Sequence, residues 1–505
     1  MYLNNHSYYS FKYGTVAPRE LLEIASAWGI KRFALTDINN TSASLDFVRL
    51  SSKFGVEPIL GVDFRNGANQ CFVALAMNNQ GFLEINRYLS GHLHKNIPIP
   101  DRAPLFENVQ VIYPFSKYDG FKLRHNESLG VRPVDLNKLK FSPFRNMVDK
   151  LIALQTGTFR NKRDFNSHRL LRAIDGNVLL SKLSVEEQSH QDCVFLSPGN
   201  LLNVYHEWPH LPENAQRILD LCHIDFDFGE DMDHKNQRTY TGSEKEDLLL
   251  LRQLCEEGMP YRYPNPDDAL MQRLEKEIDI IHKKDFVSYF LISWDLVRYA
   301  RDKGYFYVGR GSGANSIVAY LLRITDVDPI DLDLFFERFI NLYRKNPPDF
   351  DIDFSWTDRD DVTKYIFDRF SHVSLLATYS TFQYRATIRE LGKVFGLPKH
   401  EIDTISGGRF DFSKLDDLSK LVIQYSRNIQ DLPNHLSIHA GGILISEKPM
   451  HQYTATFLPP KGFPTTHFDM IVAEDVGLYK FDILSQRGLG KIKDTLEIIK
   501  VNRPE

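Results

Sequence analysis

DFDIDF at residues 349–354 decides how this chain is read. On an extended strand successive side chains point to opposite faces, so Asp349, Asp351 and Asp353 share one face. Phe350, Ile352 and Phe354 take the other. Three carboxylates side by side repel one another and raise their own pKa values unless cations sit between them. Magnesium takes oxygen ligands and keeps waters or substrate phosphates in its shell, which suits such a row. An acidic, solvent-facing edge on a half-buried strand is the plainer alternative. Pro347 and Pro348 mark a sharply set strand start.

Upstream lies VGRGSGANS at 308–316. Gly309, Gly311 and Gly313 remove side chains where a backbone must come close to something. Ser312 reads as the cap of the following helix. Backbone amides at such a turn, a helix N-terminus and the Arg310 guanidinium together suit an anion. An ordinary tight turn explains the glycines equally well. The Gly-Lys-Ser/Thr ending of a P-loop is missing. A phosphate cradle followed by an acidic strand supplies what phosphoryl transfer needs, a seat for a triphosphate and carboxylates for two metal ions.

The stretch from GRGSGANS through DFDIDF resembles the palm of the bacterial replicative DNA polymerase III alpha subunit, a C-family polymerase. The likeness runs on through TFQYRATIRELGKVFGLP, HAGGILIS and THFDMIVAEDVGLYKFDIL, over roughly residues 265–495. The resemblance implies a nucleotidyltransferase palm with catalytic, metal-binding aspartates at Asp351, Asp353 and Asp482. It places nucleotide phosphates at Gly311 and Ser312, with Arg310, Arg344 and Lys480 as basic substrate contacts. Surface charge is the plain alternative for Arg344 and Lys480. Two positions depart from the family pattern, Arg385 in place of a lysine and His467 in its TQFD stretch; both stay polar. The family's thumb falls on residues 376–437, where Arg385, Arg389 and Lys393 recur at helical spacing and would meet DNA phosphates without reading sequence. A solvated face salt-bridged by Glu390 is the alternative.

The amino-terminal region resembles the polymerase-and-histidinol-phosphatase (PHP) domain that precedes this palm. Active PHP domains carry a metal cluster; here the likeness sets Asn4, Tyr13, Ile38, Cys71, Thr156 and Thr158 at positions where it implies ligands. Only His6 and Asp63 remain, too few for a stable site. No metal and no phosphoesterase activity are expected there.

The expected architecture is α/β and multidomain. A PHP-type α/β barrel spans 1–235 and a connector 236–265. A palm of mixed sheet and helices follows in two parts, 266–375 and 438–505, around a helical thumb at 376–437. Helix–strand alternation near the start suggests a parallel barrel or sheet. The prolines between 95 and 150 suggest extended connections. A second helical block is expected over 361–396, with a polar region after it to about 437. The net charge of −5 argues against a protein coated in nucleic acid but leaves room for a local basic groove. Four scattered cysteines without a CxxC pair read as buried thiols of a reducing compartment, hence cytoplasmic. There is no uncharged apolar run long enough for a membrane span.

The function expected is a truncated DNA-directed DNA polymerase, adding a dNTP to a primer 3′-hydroxyl with two magnesium ions, or manganese in vitro. Its partners would be primer–template DNA, dNTP and replisome subunits, the sliding clamp among them through absent carboxy-terminal regions. Because the family's fingers follow its third aspartate, the chain alone is expected to be inactive or very weak. A non-catalytic DNA- or replisome-binding fragment and a PHP phosphoesterase are the rival readings.

Overall fold

The computed structural model describes residues 1–228, 233–340, 350–408 and 410–503. They gather into two units. The first holds Met1–Phe226, Thr378–Ser437 and His451–Leu458, and the second Asp227–Ala377, Ile438–Met450 and Pro459–Glu505.

In the first unit, β2 (Arg32–Leu35), β3 (Glu57–Asn66), β4 (Asn69–Ala76), β5 (Val109–Pro114), β6 (Glu127–Val131) and β7 (Leu151–Ala153) form one sheet in chain order. The short strands β1 (Asn4–Asn5) and β8 (Thr156–Gly157) pair in parallel as a separate ribbon. Backbone bonds from Ala34 to Tyr2 and from Thr36 to Asn5 tie that ribbon to β2. The expectation of a parallel sheet holds for β2–β3 and β5–β6–β7 only. The pairs β3–β4 and β4–β5 are antiparallel. The reason for the first is local: Asn66 faces Asn69 across a two-residue turn in which Gly67 takes a φ of 60°, and parallel strands cannot be joined so tightly. The proline-bearing stretch read as extended connections supplies β5 and β6, their backbones paired inside the sheet.

Residues 378–437 bring three helices to this unit, Tyr384–Phe395, Lys399–Ser406 and Asp417–Ile429. Ile388, Leu391, Ile402, Ile405, Val422 and Ile423 bury one face of each, against Leu170 and Leu171 of the helix Lys162–Asp175. The polar region expected here is therefore half helix, because its apolar residues keep helical spacing between the charges. The helical block expected over 361–396 is broken by a strand, β11 (Val373–Thr381). Its VSLLATYST sequence favours extended backbone through β-branched and aromatic residues.

In the second unit β9 (Tyr307–Arg310), β10 (Asp351–Ser355), β11, β12 (Pro433–Ile445), β14 (Thr465–Thr466) and β15 (Phe481–Gln486) run side by side in the order β14–β11–β12–β15–β10–β9; β13 (Thr456–Phe457) belongs to the first unit. Helices Asp268–Lys283 and Val287–Asp302 pack their apolar stripes on the sheet's core. The segment read as a connector contains the helix Glu244–Arg262, whose Leu251, Leu254 and Cys255 enter the same core. Its dense acidic residues hid that stripe. All four cysteines are free and buried. No described helix is long and apolar enough to cross a membrane.

Candidate active site

β10 lies between β9 and β15, and its register sets the site. Asp351 faces Arg310 on antiparallel β9 and Asp482 on parallel β15. Ile352 and Phe354 are fully buried in the core below, while the aspartates stand on the opposite face. The alternation read from DFDIDF is therefore realised from Asp351 onward; Asp349 and Arg344 lie outside the described residues.

Arg310 bridges the two strand aspartates. Its Nη1 donates to Asp351 Oδ2 at 2.7 Å and its Nε to Asp353 Oδ2 at 2.6 Å. Lys480 donates through Nζ to Asp482 Oδ2. The bond to Asp353, with attraction to Asp353, Asp351 and Asp482, holds the Arg310 guanidinium above its usual pKa. Each acid thus has a basic side chain for a counter-ion. Among the described residues no group of three or more His, Cys, Asp or Glu is arranged to hold a metal ion. Yet Asp353 Oδ1 and Asp482 Oδ1 are buried without a hydrogen-bond partner. A buried carboxylate oxygen left unpaired is costly. Two such atoms on adjacent strands, in a set of hard oxygen donors, fit a divalent cation of the magnesium type.

The glycine turn is built by close approach. A Cβ on Gly309 would lie 1.8 Å from the Ile324 carbonyl oxygen, and one on Gly313 2.3 Å from the Phe350 ring. Gly311 adopts a φ of 85°, a left-handed conformation that other residues resist. Packing thus accounts for two of the three glycines. Ser312 does not cap the next helix. It sits inside the 3₁₀ turn Gly311–Asn315, its carbonyl accepting from Asn315 Nδ2 at 2.8 Å, and Ser316 is the cap of Ile317–Leu321.

Sequence reasoning missed Glu277. This fully buried carboxylate accepts from Ser316 Oγ and the Ile317 amide, each at 2.9 Å, and from Arg273 Nε at 3.1 Å. It anchors the turn from behind. Burial pushes its pKa up to about 7, against the pull of Arg273 and Ser316. Its ordinary value is 4.5, so between these two values the folded chain holds a proton that the unfolded chain has lost. Stability from this group therefore falls as pH rises through that window. In urea titrations from pH 5 to pH 8, Glu277→Gln should gain on the wild type by about 3 kcal/mol. A parallel pH dependence in both proteins would contradict this.

Two further residues were not singled out. Arg359, buried at the start of the helix Arg359–Arg369, donates to the carbonyls of Ile483 and Ala440 and so joins β15 to β12. His439 on β12 accepts through Nδ1 from the Gly442 amide at 2.8 Å, and burial lowers its pKa although Asp482 attracts the cation. An HAGG sequence was the available signal for His439. The bonds of Arg359 are to backbone, which leaves none.

In the first unit, Arg385, Arg389 and Lys393 lie exposed along Tyr384–Phe395, and Lys393 pairs with Glu390 at 2.7 Å. At the amino-terminal ligand positions, His6 Nε2 and Asp63 Oδ2 are 3.0 Å apart, both wholly buried. Arg65 Nη2 donates to that same oxygen at 2.7 Å and Nη1 to Tyr13 at 2.9 Å. Asn4 and Gln70 also donate to Asp63, and Thr158 meets His6 Nδ1. Cys71 is not among them; its thiol lies by the Ile99 carbonyl. With a guanidinium against Asp63 and amides and hydroxyls around it, the residues present do not fit a metal cluster.

The fold and this acidic strand pair define a class, a PHP domain joined to a polymerase-type palm. Residues 3–116 match the PHP domain, and residues 249–485 match the bacterial DNA polymerase III alpha NTPase domain. The chain is 29% identical to DNA polymerase III subunit alpha of Bacillus subtilis (strain 168), over 99% of this chain and 49% of that one. It is 28% identical to the same subunit of Escherichia coli (strain K12), over 100% and 49%. An error-prone DNA polymerase of Symbiobacterium thermophilum is 27% identical, over 99% and 52%. The chain is similar to bacterial DNA polymerase III alpha subunits along its whole length, and it spans about half the length of the curated relatives it matches.

Proposed function

We propose that the chain carries the catalytic palm of a DNA-directed DNA polymerase, transferring a nucleotidyl group from a dNTP to a primer 3′-hydroxyl. The observation behind this is the register that sets Asp351 opposite Asp482, with unpaired oxygens on Asp353 and Asp482. Asp351, Asp353 and Asp482 would hold magnesium, which supplies positive charge at the attacking and leaving oxygens of an in-line displacement. Arg310 and Lys480 then turn from the carboxylates to the triphosphate, where a guanidinium and an ammonium offset charge gathering on the phosphates. The amides of the Gly311–Asn315 turn and Ser312 orient those phosphates. Asp482, tethered through β15 to β12 by Arg359, keeps its place as the basic side chains leave. Arg385, Arg389 and Lys393 form the basic row that would rest on template–primer phosphates, which makes this contact salt-sensitive.

The test reads metal rather than turnover. Manganese binding followed by electron paramagnetic resonance should weaken about tenfold or more in Asp353→Asn. It should tighten in Arg310→Gln, because a competing cation has gone. Equal affinity in Asp353→Asn and wild type would overturn the assignment.

A further inference from the structure

A cavity of about 890 Å³ opens over the amino-terminal site where the metal ligands are missing. Arg65, Lys117, Arg132 and Arg169 reach its wall from β3, the loop after β5, the loop after β6 and the helix Lys162–Asp175. Glu186 is the single carboxylate in the lining among the described residues. Arg65 is neutralised by Asp63 and Arg132 by Asp135 at 3.1 Å. Lys117 and Arg169 bond uncharged oxygens. Lys117 meets the Gln70 carbonyl at 2.6 Å, and Arg169 meets Gln188 Oε1 at 2.9 Å. Four cationic side chains thus line the cavity beside one carboxylate, Glu186, and Asp101 acts on Lys117 from nearby. Burial lowers the Lys117 pKa against the pull of Cys71 and Asp101, with Arg65 and Arg132 adding to the lowering.

We infer that this cavity is a metal-free binding site for a phosphorylated small molecule of nucleotide size, in which arginine and lysine side chains hold the phosphate. Arginine forks and a lysine ammonium converging from several elements match a tetrahedral anion with several oxygens. The volume is far greater than phosphate alone needs and lies in the range of small-molecule sites. Tyr13, Phe165 and Val185 give the remainder an apolar wall. Of the imidazoles nearby, His190 lines the cavity and pairs with Asp192, while His6 and His168 are buried and already bonded. Burial keeps His6 below its usual pKa, and it already bonds Asp63 and Thr158. His168 is held between the Tyr13 carbonyl and the Ser189 amide. The inference is independent of the polymerase reading, because every group it uses belongs to the first unit.

Isothermal titration of the full chain with inorganic phosphate, AMP and adenosine tests it. Phosphate and AMP should bind and adenosine should not. The double variant Lys117→Gln/Arg169→Gln should lose about tenfold or more in AMP affinity, as expected when hydrogen bonds to charged groups go. Both positions border solvent, and a thermal unfolding midpoint matching the wild type will show that the variant folds. Arg252→Gln, at a surface ion pair with Glu275 in the other unit, should leave AMP binding unchanged. AMP affinity equal in wild type and the double variant, or absent from both, would overturn the inference. Loss with Arg252→Gln instead would assign the binding to the other unit and refute it.

Discussion

Arg65→Leu will lower the stability of the first unit by about 3–5 kcal/mol, the cost of stranding one partner of a buried ion pair. Asp63 is wholly buried, and the Arg65 guanidinium beside it, with the His6 bond, holds its carboxyl far below the usual range. Removing Arg65 leaves that carboxylate with His6, Asn4 and Gln70 and no full positive charge. The sign with pH follows. A carboxyl with a depressed pKa stabilises the fold above its unfolded pKa, and that stabilisation is lost as pH falls through the acid range. Wild type and variant should therefore converge in urea denaturation as pH drops below about 4. Arg65→Lys keeps a charge but not the fork that reaches both Asp63 and Tyr13, and should fall between them. A variant as stable as the wild type at pH 7 would show that Asp63 has another source of compensation.

The second large effect belongs to the proposed chemistry. Asp482→Asn should lower nucleotidyl transfer by on the order of 10³-fold, several kcal/mol of charge stabilisation being lost. The substitution keeps the shape of the side chain and its place on β15, so the fold should stay. The measurement is template-directed primer extension with the purified protein, under single turnover. Extension within about threefold of wild type would remove Asp482 from the site, since that is well under 1.4 kcal/mol.

How much of this was legible in the sequence depends on the range of the interaction. The alternation in DFDIDF reports its own two faces, so the aspartate face could be read from six letters. The meeting of Asp351 with Asp482 could not, because no local rule pairs strands so far apart in the chain; only the family resemblance supplied it. Ser312 was misread as a cap because Ser316 offers the same hydroxyl within the same short stretch. Backbone geometry decides between them. The lost ligands of the PHP site were visible as substitutions, but the arginine that answers Asp63 was not. Arg65 lies two positions along β3 from Asp63 and so shares its face, while the register shift beside it leaves Cys71 of β4 unpaired. Glu277 was hidden by its own helix, where a carboxylate among EKEID reads as solvated charge.

The register of β10 with β15 also bears on how the protein is made. The chain between them leaves the second unit to build the helices of residues 378–437 in the first. At about 5–20 residues per second of synthesis, β10 emerges roughly ten seconds before its parallel neighbour. For that interval one edge of an apolar strand is open to any passing partner. Charges on such an edge discourage pairing with other chains. Asp351 and Asp353 thus guard the nascent strand during the same seconds in which, without Asp482, the proposed site is incomplete.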